Sequence, residues 1–240
     1  MKSVYKRIIF KVSGEALADE VGHQIYDDKK LKMVARVVKE ARDAGCSVGL
    51  VVGAGNIWRG RLSKSIGIEQ AQGDYMGMLG TIMNAMAIQN AVEHLGIDCR
   101  VMSAINVPQC CESYLRRKAI NHLDKGRVVI FAGGTGNPYF TTDSCATLRA
   151  LEVGANAILM AKNGVDGVFD SDPRKNPNAK MYKHLTFHQV VEQKLGVMDL
   201  TAVAMLEGKD LEIRVFNMDD ENNFMKVLAG EDIGTTISKE

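Results

Sequence analysis

What this 240-residue chain lacks narrows its class before any motif is read. No apolar run approaches the roughly 20 residues that a membrane-spanning helix requires. The N-terminal Ile8-Ile9-Phe10 is cut by Lys11, so no signal peptide is legible and a cytoplasmic location is expected. Net charge is nearly absent: 30 basic residues against 29 acidic leave +1, which supplies no overall field to draw nucleic acid or a membrane. The one basic cluster, Arg116-Arg117-Lys118, falls in a helical stretch and reads as a solvated face. Cysteine is sparse and odd in number (Cys46, Cys99, Cys110, Cys111, Cys145) and forms no CxxC pair, which fits reduced thiols better than a disulfide framework or a zinc site. GxxxxGK[ST] does not occur, which excludes a P-loop nucleotide site. A dinucleotide fingerprint starting at Gly53 would need a third glycine at position 58, where Trp58 stands. No metal site is expected. His184 and His188 are spaced i, i+4, yet Thr186 with Gln189 three residues on reads as a capping box that starts a helix between them.

What is present is an ordinary globular composition, 46% apolar and 25% charged, over a length that allows a sizeable core. Apolar runs at 7–12, 47–52, 99–103, 127–132, 157–161, 212–216 and 235–237 read as strands. Between them Leu31, Val34, Ala35, Val38 and Ala41 make one helical stripe ended by Gly45. Further helices are expected at about 74–95, 113–124, 144–152, 187–194, 198–207 and 220–229. Met76, Met83 and Met86, set among Ala85, Ala87 and Ala91, make the longest of these either a core helix or an adaptable contact surface. Strands alternating with helices indicate an α/β fold, a largely parallel central sheet with helices on both faces, in a single domain over 1–240. The stretch 162–186 departs from the pattern. Turn signals at Asn163-Gly164, Asp166-Gly167, Asp172-Pro173 and Asn176-Pro177 predict a small hairpin excursion there.

In sheets of this kind ligands bind beyond the carboxyl ends of the strands. Four polar or glycine-rich junctions fall there, at 11–15, 53–56, 133–143 and 162–172. The richest, Thr135-Gly136-Asn137-Pro138-Tyr139-Phe140-Thr141-Thr142-Asp143, follows Gly133-Gly134 and precedes a helix. A glycine turn and a hydroxyl-rich helix start let backbone N–H groups face an anion. The amide, hydroxyls and carboxylate exceed what a bare phosphate needs and suit a phosphorylated small molecule. The same residue types also build plain connections; convergence of four junctions on one sheet edge favours a site. Lys11, beside Gly14, either snorkels at a sheet edge or neutralises a transferred phosphate. Arg59, in Gly53-Ala54-Gly55-Asn56-Ile57-Trp58-Arg59-Gly60, lies one turn past a glycine loop, within reach of phosphate oxygens. Asp74, after Gly73 at the expected helix start, complements the helix dipole or accepts ribose hydroxyls. Asp143 stands where anions are attracted and so needs a cation: it orients a lysine such as Lys11, serves magnesium indirectly, or caps the helix.

Lys11-Val12-Ser13-Gly14-Glu15, the Gly53–Gly60 loop, Gly73-Asp74, the Thr135–Asp143 run and Val165-Asp166-Gly167-Val168-Phe169 occur in the order found in bacterial uridylate (UMP) kinases. Val197-Met198-Asp199-Leu200 and Arg214-Val215-Phe216-Asn217 follow in kind, and the chain resembles that family over essentially its whole length. The resemblance implies the amino-acid kinase fold, with an acceptor half at about 1–155 and an ATP half at about 156–240. It implies transfer of the γ-phosphoryl of ATP, carried with Mg2+, to UMP. Lys11, Arg59 and Asp143 would be catalytic. Lys11, Val12, Ser13, Gly14, Gly55, Arg59, Asn163, Phe169 and Asp172 would bind ATP. Ala54, Asp74, Thr135, Gly136, Asn137, Pro138, Tyr139, Phe140, Thr141 and Thr142 would bind UMP. Ala54 departs from the glycine usual in the family; its methyl group crowds UMP if the backbone there needs positive φ. The resemblance further implies a homohexamer, UTP inhibition and GTP activation through Asp19, Glu20, Val21, Gly22, His23 and Gln24.

Two other readings stay open at the level of sequence. A sister kinase of the same fold acts on carbamate, acetylglutamate or isopentenyl phosphate. Asp74 with Asn137 favours a nucleoside, since an amide pairs with the uracil imide while the carboxylate takes the ribose. A non-catalytic ATP-binding storage protein is the other, and the presence of Lys11, Arg59 and Asp143 argues against it.

Overall fold

A computed structural model describes residues 2–19, 21–60, 62–162 and 164–239. Among them nine strands form one sheet: β1 (Arg7–Val12), β2 (Ser47–Val52), β3 (Cys99–Ser103), β4 (Glu112–Ser113), β5 (Val128–Ala132), β6 (Ala157–Lys162), β7 (His184–Thr186), β8 (Glu212–Asn217) and β9 (Thr235–Ser238). Their order across the sheet is β4-β3-β5-β2-β1-β6-β8-β9-β7. All pairings are parallel except β8 with β9. Parallel neighbours require crossovers, and α1 (Asp28–Asp43), α3 (Gln70–Glu93), α4 (Arg116–Asp124) and α5 (Thr142–Val153) supply them in the first half. The shorter α2 (Leu62–Ser65), α6 (Phe187–Glu192), α7 (Leu200–Ala204) and α8 (Asn222–Leu228) complete the set.

Strand side chains alternate between faces, and β1 shows the consequence. Ile8, Phe10 and Val12 join a core with Val34 and Val38 of α1, Ile82 and Ile88 of α3, and Phe224 of α8. Ile9 joins the opposite core with Ala146 and Ala150 of α5, Phe187 of α6 and Val203 of α7. Both faces of the sheet are therefore covered, which is why its central strands are continuous apolar runs. Phe10 meets Phe224 edge to face, ring centres 4.8 Å apart. Burying one such ring contributes about 1.5–3 kcal/mol.

The expected strands appear within a residue of their anticipated bounds, and helices cover both faces as expected. The Thr186/Gln189 capping box is formed and starts α6, while His184 lies in β7, so the two histidines share no helical face. The helices after the long one shift at their ends by up to three residues, the expected 198–207 helix shortening to Leu200–Ala204, and three details differ further. The long helix starts at Gln70, ahead of Gly73-Asp74, because Gly73 serves close packing rather than initiation: a Cβ there would lie 2.0 Å from the Ser63 hydroxyl. The excursion after β6 is a hairpin with a Phe169–Met181 bridge, but its last residues return to the main sheet as β7, parallel to β9. The two-residue β4 was too short to leave a periodic signal. Among the described residues no helix is long and apolar enough to cross a membrane.

Candidate active site

The sheet order sets β5, β2, β1 and β6 side by side and parallel, so the four junctions noted in the sequence open at one edge. A cavity of about 390 Å3 lies there, lined by the 11–15, 53–60 and 134–142 segments and by α3. A second cavity, about 470 Å3, lies beyond β6 between the 165–173 hairpin and the 193–197 turn.

The first two glycine loops lie backbone to backbone. A Cβ at Gly14 would be 2.4 Å from the Gly55 nitrogen, a separation no side chain allows. The Val12 carbonyl accepts the Gly53 N–H at 2.9 Å. The fully buried Asn84 of α3 fixes the second loop from behind. Its amide donates to the Gly53 carbonyl at 2.7 Å and pairs reciprocally with the Asn56 amide at 2.8 and 3.1 Å. The Arg59 Nε donates to the Gly55 carbonyl at 3.2 Å and stands 3.7 Å from Glu15 Oε1, at the mouth of the cavity. Ala54 is not among the residues with positive φ. Its methyl faces α3, where a Cβ on Gly80 would come within 3.0 Å, so the positive-φ condition under which Ala54 would crowd UMP is not met.

Gly133, Gly134 and Gly136 adopt left-handed backbone, with φ of 72°, 58° and 82°, which glycine takes at little cost. Thr81 of α3 anchors this turn by accepting the Gly133 N–H at 2.9 Å. Asp74 sits inside α3, not at its start, and its Oδ2 accepts the Tyr139 N–H at 2.8 Å. Its carboxylate is thus tied to the loop tip instead of to the helix terminus. Thr141 caps α5, accepting from the Asp143 and Ser144 N–H groups, and donates to Asp199. Asp199 also accepts from the Ser144 hydroxyl at 3.0 Å and caps α7, which ties the 135–143 loop to the start of that helix.

Since Thr141 holds the cap, the Asp143 carboxylate is available for another contact: its Oδ1 lies 2.8 Å from the Lys11 Nζ. Lys11 is not on an edge strand. It faces α5 from the central β1, between Val51 and Met160. Lys162, at the end of the adjacent β6, donates to the Val197 carbonyl at 3.4 Å and lines the second cavity. Burial holds its ammonium below the ordinary lysine range; the charge of Lys11 adds to this and that of Asp143 opposes it. The three side chains form one electrostatic unit between the cavities.

Lys11, Ser13, Gly14, Gly55 and Arg59 line the first cavity, as do Ala54, Asp74, Thr135, Asn137, Phe140, Thr141 and Thr142. Phe169 and Asp172 line the second. Val12 is a core residue that offers only its backbone, and Gly136, Pro138 and Tyr139 stand outside the lining of either cavity. Ser13 spends its hydroxyl capping the turn at Gly14–Leu17. Asp19, Val21, Gly22, His23 and Gln24 form a tight turn closed by an Asp19–Gln24 bridge. Asn163 and Glu20 lie outside the described residues. Sequence reasoning missed Lys162, although a lysine ending an apolar strand at this sheet edge is the signal by which Lys11 was found. Thr81 and Asn84 had no such signal, being polar residues inside a helical pattern.

This fold and site define a class: the chain belongs to the amino acid kinase family, whose model matches residues 6–217. Among its relatives it is 51% identical over 233 residues to a uridylate kinase of Limosilactobacillus reuteri, covering 97% of both chains. It is 50% identical over 234 residues to a uridylate kinase of Deinococcus radiodurans, covering 98% of this chain and 95% of the other. The crystal structure of UMP kinase from Bacillus anthracis superposes with a TM-score of 0.95 at 40% identity, over 98% of this chain and 97% of that one. UMP kinase from Ureaplasma parvum gives 0.92 at 40% identity over the full length of both.

Proposed function

We infer that the protein is an ATP-dependent kinase that transfers the γ-phosphoryl group of ATP to UMP, giving UDP and ADP for pyrimidine nucleotide synthesis. The observation that carries this reading is the Lys11–Asp143 pair set between two cavities at the sheet edge, in a chain about half identical to uridylate kinases. In our assignment the first cavity takes UMP, with Asp74 and the Thr135–Thr142 run around it, and residues from about 156 onward hold ATP in the second. A cytoplasmic location suits these substrates.

The chemistry asked of the chain is positioning and charge compensation. Two anionic groups must approach in line, and negative charge moves towards the leaving oxygen. Lys11 and Lys162 supply cationic groups on either side of the reacting phosphoryl, and Asp143 holds Lys11 in place. Arg59 and the glycine N–H groups complete the cradle. The UMP phosphate is already an anion, so no general base is required. Magnesium would enter on the triphosphate; Asp143 Oδ1 is paired with Lys11.

Assembly as a homohexamer, inhibition by UTP and activation by GTP belong to the same reading. The 19–24 turn borders a cavity of about 300 Å3 that also touches Glu15 and Arg59, a short path from effector to phosphate cradle. GTP should raise rates at subsaturating and at inhibitory UMP; rates indifferent to GTP would remove this role. The primary test is coupled ADP release with MgATP and UMP, CMP, dCMP or AMP in parallel. UMP should be preferred strongly, and equal or better use of another acceptor would overturn the assignment.

A further inference from the structure

Arg149, on α5, is a buried cation that the chemistry above does not use; it is 4% exposed. Buried ion pairs give little net stability, since apolar replacements are often neutral or better. Its contacts suggest a different reason for its presence. Nη1 donates to Glu152 Oε2 at 2.6 Å, and the guanidinium carbon stands 3.8 Å from the centre of the Tyr114 ring. The Tyr114 hydroxyl donates to the same carboxylate oxygen at 2.5 Å. Nη2 reaches the other way and donates to the Gly134 carbonyl at 3.3 Å.

Gly134 lines the first cavity in left-handed backbone. Its neighbour Gly133 has its N–H held by Thr81 from α3. Ser103 closes on Gly133 so tightly that a Cβ there would lie 2.8 Å from the Ser103 hydroxyl. The two-glycine turn is therefore clamped from both sides, by a hydroxyl of α3 on the N–H and by a guanidinium of α5 on the C=O. The planar fork of arginine lets one side chain engage a carboxylate and a carbonyl in different directions, which lysine does not reproduce.

We propose that Arg149 is a positioning residue for the acceptor nucleotide: it holds the Gly134 carbonyl so that the Thr135–Asn137 segment presents its polar groups to UMP. This rests on reading the first cavity as the UMP site. Arg149 does not touch substrate and acts through the loop alone.

The test is an Arg149→Met, Glu152→Gln double variant, which leaves no carboxylate stranded beside an apolar side chain, together with Arg149→Lys. Steady-state constants for both substrates are measured, and amide hydrogen exchange over residues 133–140 is followed without ligand. The KM for UMP should rise about tenfold, the scale of one hydrogen bond from a charged donor, with the KM for ATP within about twofold. Exchange at 133–140 should quicken, and Arg149→Lys should resemble the double variant more than the wild type. Unchanged exchange at 133–140 would overturn the proposal, and so would proportional loss of both affinities with a lowered Tm. A wild-type protein that fails to phosphorylate UMP would instead remove the assignment of the cavity, while the exchange data still judge the clamp.

Discussion

The Lys11 ammonium lies 2.8 Å from Asp143 Oδ1, and both side chains are largely shielded, 14% and 18% exposed. The pair joins the end of the central strand to the first turn of the helix packed on it. Exposed ion pairs of this length stabilise little. Under the proposed function, a pair set between two cavities that take phosphates would have a different use: it would hold a cation at a fixed point.

Removing Lys11 should depress turnover far more than either affinity, since its charge matters most as the phosphoryl group moves. A loss of about 10²–10³-fold in kcat is expected for Lys11→Ala, the scale of one lost electrostatic contact in a preorganised site. Asp143→Asn should fall in the same direction. If the two act as a unit, the double variant is little worse than the poorer single. Additive losses would separate their roles, and a folded Asp143→Asn protein with near-normal kcat would reduce Asp143 to a charge at the helix start.

Asp74→Asn should weaken UMP with ATP affinity nearly kept. The carboxylate is tied to the Tyr139 N–H, so the substitution loses a charged acceptor at the cavity wall, a cost of ~1.5–3 kcal/mol. A purely structural Asp74 would lower Tm and affect both substrates alike, which thermal melts alongside the two KM values would reveal.

Lys162 yields a prediction with a sign. Folding lowers its pKa, so below the folded pKa both states are protonated and its burial costs stability. As pH rises from the folded pKa to that of free lysine, the folded state sheds the proton first and stability is regained. Lys162→Met should therefore keep or raise Tm at neutral pH while turnover falls sharply. The alkaline limb of kcat/KM for ATP should lie below the ordinary lysine range and move up in Lys162→Arg. Identical limbs in the two proteins would remove Lys162 from the phosphoryl path.

The outer face of α3 carries Tyr75, Leu79, Met83 and Met86, each at least 40% exposed. Spaced one turn apart, they make an apolar stripe that we assign to a second copy of the chain. Leu79→Glu with Met83→Glu should reduce the mass seen by light scattering. A wild-type monomer at micromolar concentration would sink this assignment.

Thiol chemistry should divide the cysteines. Burial pushes Cys46 and Cys145 up to about 11 and Cys99 up to about 12, so these stay protonated and unreactive at neutral pH. Cys110 is exposed and Cys111 partly so. An aromatic disulfide reagent should titrate one thiol quickly, a second slowly, and the rest only on unfolding. A third reactive thiol in the native protein would contradict the packing around these cysteines.

How much of this was legible in sequence depends on the range over which each feature is decided. Strands β1, β2 and β3 were bounded correctly because burial on both faces of a parallel sheet leaves uninterrupted apolar runs, and the α1 stripe because one helical face is enough to mark it. The loops of the site were legible because their glycines and threonines are needed by local backbone geometry and capping. The Lys11–Asp143 pairing was legible only as one of three alternatives for Asp143, and the burial of Lys11, the place of Lys162 beside it and the clamps at Thr81, Asn84 and Arg149 were not legible. Each depends on which strands and helices become neighbours. That lysine at a strand end lies in the middle of the sheet only because β6 returns to pair with β1 after more than 100 intervening residues. The sequence by itself determined the elements and the chemistry at their ends, since those follow from backbone preference and periodicity. Only tertiary packing decided which charges meet, because the energy of a charge pair depends on the distance and burial that packing sets.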